Sequence, residues 1–235
     1  MSSPSPQHGN SVRALLSAVD ADRQALLKLG LSVMGKSGDP FFPVDLLAFG
    51  ALKRSVSTAA AMVMMVEARN MLCARTLLRT HIDTSLRFSA AWLVEKPHEF
   101  ATGVLRGERI DRMMGRDGKK LTDAHLVATH SGDHPWLPTV YANLSGYVHF
   151  SGSHVIDSVS TLEKDGRIQF SVTAEDLNFP EASWIEVLEC FREATGILAK
   201  YLDGYRVTKS MSPEQLEAAR SEGLHVVRAG GGGEG

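Results

Sequence analysis

The sequence predicts a mainly α fold, a multi-helix bundle with a small β-hairpin near 155–172, and three observations carry that reading. Apolar residues recur at helical spacing through most of the chain, Pro and Gly fall mainly between the periodic stretches, and the period shortens only around Lys164-Asp165-Gly166. With 235 residues, 43% hydrophobic and 22% charged, the chain suits one domain with a sizeable core and is no collagen-like, low-complexity or disulfide scaffold. Residues 1–9 read as a disordered Ser/Pro-rich start, 10–207 as a single helical domain carrying the hairpin, 208–222 as a short C-terminal helix and 223–235 as a flexible Gly-rich tail.

Asn10 or Ser11 caps a first helix to about Gly35, with Val12, Leu15, Val19 and Leu26 towards one face. Gly38, Asp39, Pro40 and Pro43 end it by turn chemistry. From Val44 to Val94 there is no Pro and only Gly50, too long a run for one globular helix. The polar cluster Glu67 to Asn70 splits it into an antiparallel pair, Asp45 to about Ala68 and Met71 to about Val94, with Asn70 as cap. Both are apolar over much of their circumference, which places them in the centre of a bundle. Lys96 and Pro97 stop the second, and a shorter helix carries Phe100, Val104 and Leu105.

Thr122 caps a helix to about Thr129, and Trp136 begins another to about Val148 with Pro138 in its first turn. The hairpin sets Ile156, Ser158, Ser160 and Leu162 before the Asp165-Gly166 turn and Ile168, Phe170 and Val172 after it. Pro180 or Glu181 opens a long helix to about Leu202, with Trp184, Val187, Leu188, Phe191 and Leu198 on its apolar face. Ser212 and Pro213 open a last, polar helix to about Ser221.

Lys and Arg number 25 against 27 Asp and Glu, so no global basic field draws nucleic acid or an anionic membrane, and only a local patch could do so. Cys73 and Cys190 sit in apolar helical patterns without CxxC spacing and read as reduced core residues, in keeping with a cytoplasmic protein. Met1 to Arg13 has no apolar signal core. The greasiest stretch, Ser55 to Val66, holds twelve uncharged residues between Arg54 and Glu67, short of the ~18 of a spanning helix, so a buried core helix and no membrane association are expected.

Two constellations could carry chemistry. Arg75, Arg79, Asp83 and Arg87 stand four residues apart, and at 100° per residue they drift only ~40° per step, forming one charged stripe. Arg79 and Asp83 are a natural ion pair, whereas Arg75 and Arg87 lack a local partner and could offer guanidinium forks to a phosphate or carboxylate. On the helix from Trp136, Tyr141, Ser145 and His149 share a face at the same spacing, with His154 five residues on. That makes Asp83, Ser145 and His149 candidate catalytic groups, and the whole set with Arg75, Arg79, Arg87, Tyr141 and His154 a candidate binding site. No GxSxG elbow accompanies them. His125, His130, His134, His149 and His154 crowd within thirty residues, but no HExxH, paired CxxC or EF-hand loop is present, so no metal and no cofactor are assigned.

The runs Ala74-Arg75-Thr76-Leu77-Leu78-Arg79-Thr80-His81-Ile82-Asp83 and Tyr141-Ala142-Asn143-Leu144-Ser145-Gly146-Tyr147-Val148-His149 resemble an uncharacterised all-helical bacterial domain family, over about Asp45 to His154. The layout is also distantly similar to HEPN-type helical bundles, a resemblance that implies paired subunits and an RNA-cutting site with Arg a few residues before His. His149 departs from that pattern, since Ala142, Asn143 and Leu144 stand where the Arg would be.

The preferred expectation is a helical module that acts by binding a partner protein or nucleic acid as a homo-oligomer. One alternative is a HEPN-like ribonuclease or toxin with His149 as acid/base, and another is a metal-dependent hydrolase built on the His125 to His154 cluster.

Overall fold

The structure, a computed structural model, describes residues 8–36, 38–212, 214–215 and 218–219. Among them run eight α-helices: α1 (Asn10–Met34), α2 (Pro43–Glu67), α3 (Met71–Ser89), α4 (Pro97–Leu105), α5 (Asp123–His130), α6 (Leu137–Val148), α7 (Gly152–Asp157) and α8 (Glu181–Lys209). One antiparallel pair, β1 (Val159–Leu162) and β2 (Ile168–Phe170), completes the mainly α bundle with a small hairpin that the sequence predicts.

Local chemistry sets many boundaries. Asn70 accepts the N–H of Cys73 at 2.8 Å and Thr122 that of His125 at 3.3 Å, each satisfying an orphan donor of its helix. Pro43, Pro97 and Pro138 stand in first turns, where a missing N–H is harmless. Arg69, at φ 52, makes the tight bend between α2 and α3.

Four helices enclose the core, α1 and α3 each packing against both α2 and α8. The first three run up, down and up. α8 breaks the alternation: Arg192 meets Asp22 at 2.7 Å near its middle, and Lys209 reaches the Val33 carbonyl at 3.2 Å at its end, so it runs parallel to α1. The same sense holds against α3, where Thr195 meets His81 and Tyr201 meets Trp92. A parallel return requires a long crossover, and residues 90–180, with α4 to α7 and the hairpin, provide it.

Trp184, Phe191 and Leu198 of α8 fill the centre with Val19, Leu26, Leu78 and Ile82. The charged pair inside is partnered, whereas Ser55 Oγ and Trp184 Nε1 are buried without a hydrogen-bond partner among the described residues. Lys209 Nζ lies 2.8 Å from Asp45 Oδ1, both side chains nearly excluded from solvent, while Asp45 Oδ2 accepts the Phe42 N–H. His81 stacks on Phe191 at 4.0 Å between centroids and contacts Thr195 Oγ1 at 2.8 Å. Burial, with Arg54 adding, pushes its pKa down to about 3, so the imidazole is neutral at pH 7.

Several expectations are corrected. α2 is long and apolar enough to cross a membrane by length and composition, yet it is buried on one side only, where Ala48, Leu52, Ala59 and Met62 face the core while Leu46 and Met64 stand outside. α3 stops at Ser89, and a single 3-10 turn, Ala90–Trp92, replaces its expected last turn. α8 continues beyond Leu202 because Tyr205 and Thr208 are buried and Lys209 pairs with Asp45, so the expected break at 207/208 falls inside a helix. Ile156 lies in α7, not in a strand: Ser151 and His154 cap that short helix, and β1 begins only at Val159. His8, assigned to the disordered start, contacts the Val66 carbonyl at 2.7 Å and sits edge-on to Trp184. Residues 1–7, most of the expected helix after Ser212 and the tail 223–235 lie outside the described residues.

Candidate functional site

The charged stripe of α3 turns towards α5 and α6. Arg79 pairs with Asp83 on its own helix, and its guanidinium lies 3.5 Å above the Tyr141 ring. Tyr141 donates its hydroxyl to Asp83 at 2.8 Å, and Asp123 of α5 sits 3.7 Å from Arg79 and 2.6 Å from Arg87. Arg79 Nε has no hydrogen-bond acceptor, and Nη1 meets Asp83 as an ion pair outside hydrogen-bond geometry; the negative face of the Tyr141 ring supplies the rest of the counter-charge. Two guanidiniums and two carboxylates thus close on one another around a phenol. Burial, reinforced by Asp83, raises the Tyr141 pKa far above the ordinary tyrosine value, so the phenol stays a proton donor.

Arg75 finds partners the sequence did not disclose. It bonds the Tyr147 hydroxyl and is sandwiched between the Tyr147 ring at 4.7 Å and the Phe179 ring at 4.8 Å. Thr76 Oγ1 donates to the Tyr147 carbonyl at 3.2 Å. Burial raises the Tyr147 pKa, with Arg75 pulling against it. Downstream, Asp176 Oδ2 accepts the N–H groups of Met71 and Leu72 at 2.7 and 3.2 Å, capping α3 from more than a hundred residues away.

The expected common face of Tyr141, Ser145 and His149 does not form. Tyr141 is buried, but Ser145 is exposed and returns its hydroxyl to the Tyr141 carbonyl at 3.1 Å. α6 ends at Val148, so His149 leaves in extended backbone with its side chain exposed, and helical spacing no longer applies to it. Among the described residues no hydrogen bond or ion pair joins Ser145 or His149 to Arg79 or Asp83. His154 accepts the Ser151 N–H at 3.2 Å and stacks on Phe150.

The other histidines are equally dispersed. His125 faces Asp117 at 3.2 Å, and His134 lies edge-on to Trp136. His130 contacts Ser89 Oγ at 2.7 Å, and burial lowers its pKa to about 4. Among the described residues no three His, Cys, Asp or Glu side chains gather as a metal would require. Cys190 is no nucleophile either, because burial and three flanking glutamates push its thiol up to about 12.

The charged stripe is therefore a clamp. Tyr147, Phe179 and Asp176 bind both ends of the excursion between α6 and α8 to α3, and the excursion itself is open to solvent. Half of the large apolar side chains that stand exposed among the described residues fall between Val148 and Leu177, including Phe150, Ile156, Leu162, Phe170 and Val172. A bulge at Ser160 lets Val159 pair with Phe170 and Leu162 with Ile168, which gathers all four on one sheet face.

No family model, curated protein or solved structure matches this chain. The sequence reading missed Asp123, Asp176 and Phe179; helix-start Asp123 beside the Thr122 cap was the one local signal, and the other two act across long separations.

Proposed function

We propose that this chain is a protein-binding module in which a rigid helical body holds out the segment 148–177 as its docking element. The observation that carries this reading is the apolar excursion: the large apolar side chains from Val148 to Leu177 that stand exposed are each 45% exposed or more, a concentration that marks interaction surfaces. Charge favours polypeptide over nucleic acid as the ligand. The segment holds Asp157, Glu163, Asp165, Glu175 and Asp176 against Lys164 and Arg167, and the α3 guanidiniums that could have met phosphate are taken up internally.

A photo-reactive phenylalanine analogue in place of Leu162, with α1 Leu31 as a control position, tests this in cells. Adducts to polypeptide, whether a second copy or another protein, are expected at 162 and absent at 31. Adducts to nucleic acid alone, or none, would overturn the reading.

A further inference from the structure

An isolated two-stranded hairpin is marginal in water, whereas three or more strands with an apolar face are stable. α7 leads directly into β1. The outer edge of β2 is open. Within the hairpin the Arg167 carbonyl accepts from Glu163, the Gln169 carbonyl from the Ser160 hydroxyl, and the Ser171 N–H donates to Ser158. Alternation then turns the N–H and C=O groups of Ile168, Phe170 and Val172 away from β1. From Ile168 to Val172 this edge holds no charge, no Pro and no bulge, the devices that ordinarily keep an edge strand from pairing.

We propose that the occupant of this edge is a second copy of the chain, whose β2 pairs antiparallel with β2 about a two-fold axis at Phe170. The inference rests on the docking reading above and names its partner. In this register Phe170 lies opposite Phe170 of the second copy and Ile168 opposite Val172, so every even-numbered side chain meets an apolar one on the apolar face. Gln169 lies opposite Ser171 as a close non-hydrogen-bonded pair on the polar face.

Charge is complementary in the same arrangement. Antiparallel pairing sets the hairpin tip, with Lys164 and Arg167, beside the carboxylate-bearing base of the other copy, and Arg167 stands one diagonal step from Glu175, within reach of a long side chain. Arg167 exchanges exposed contacts with Glu163 and Asp165 that cost little to replace. The product is a four-stranded sheet, β1-β2-β2-β1, that no longer has the open edge.

Light scattering on the full chain at about 100 µM should give twice 25.5 kDa, and Phe170→Asp should give the single mass with helical circular dichroism and unfolding midpoint unchanged. The register is read separately. With Cys73→Ser and Cys190→Ala as background, Gln169→Cys plus Ser171→Cys in one chain should yield a disulfide-linked dimer under mild oxidation, with mass spectrometry joining 169 to 171, while either substitution alone should link far less. A monomeric parent chain, a Phe170→Asp dimer, or a linkage of another register would overturn the proposal. Polypeptide adducts at 162 from a chain that scatters as a monomer would sink the self-pairing and leave the docking reading standing.

Discussion

The body of the bundle and the excursion between α6 and α8 treat polar and apolar groups in opposite ways. The body buries Asp45 with Lys209 and Arg79 with Asp83, and stacks neutral His81 on Phe191. The excursion leaves Phe150 88% and Val172 89% exposed. Charges placed inside a fold stabilise it only when paired, and apolar groups left outside it do nothing for it at all. The contrast assigns stability to one region and association to the other, and shows how a charged helix face can look like a binding site while serving as a joint.

The sharpest way to break the comparison is to unpair the body. Lys209→Met leaves the Asp45 carboxylate buried and uncompensated, and a loss of about 3–5 kcal/mol is expected in urea denaturation; a loss under 1 kcal/mol would show that the pair is not part of what holds α8 to α2. Acid should act on the body next. His81 and His130 are held neutral in the folded chain, with pKa values lowered to about 3 and about 4, whereas an unfolded histidine protonates near 6.5. Their contribution is complete above about pH 6.5 and is lost as pH falls, at ~1.4 kcal/mol per pH unit for each histidine, down to about pH 4 for His130 and lower for His81. Denaturation midpoints from pH 7 to 4 check this, and His130→Gln should flatten the slope.

A smaller effect is expected at the joint. Asp176→Ala removes the remote cap of α3 and should cost about 1 kcal/mol, with faster protease cleavage between 149 and 175. The smallest stability change belongs to the excursion: Phe170→Ser should alter unfolding by no more than ~0.5 kcal/mol while weakening association measured by sedimentation. A large loss of stability from Phe170→Ser would erase the distinction between the two regions.

Local signals in the sequence were legible. Asn70 and Thr122 cap the helices expected of them, Pro97 opens α4, and Asp165-Gly166 sits in the hairpin turn. In the four-residue ladder of α3, Arg79 and Asp83 pair as their spacing predicts, and both meet Tyr141. What could not be read was anything decided by distant partners. Arg75 and Arg87 have no complement on their own helix, and only the fold supplies Tyr147, Phe179 and Asp123. The spacing places His149 on the helix because Val148 gives no stop signal, yet the chain turns there to build α7.

The parallel course of α8 bears on how the chain is made. Trp184, Phe191 and Leu198 are the residues that cover the inner faces of α1 and α3, and they leave the ribosome some 150 residues after α1. Until then three helices wait with their apolar sides uncovered, and the crossover must be in place before the last helix can dock. Synthesis at ~5–20 residues per second makes that a wait of about 8–30 seconds for α1, during which the unfinished bundle is exposed to aggregation.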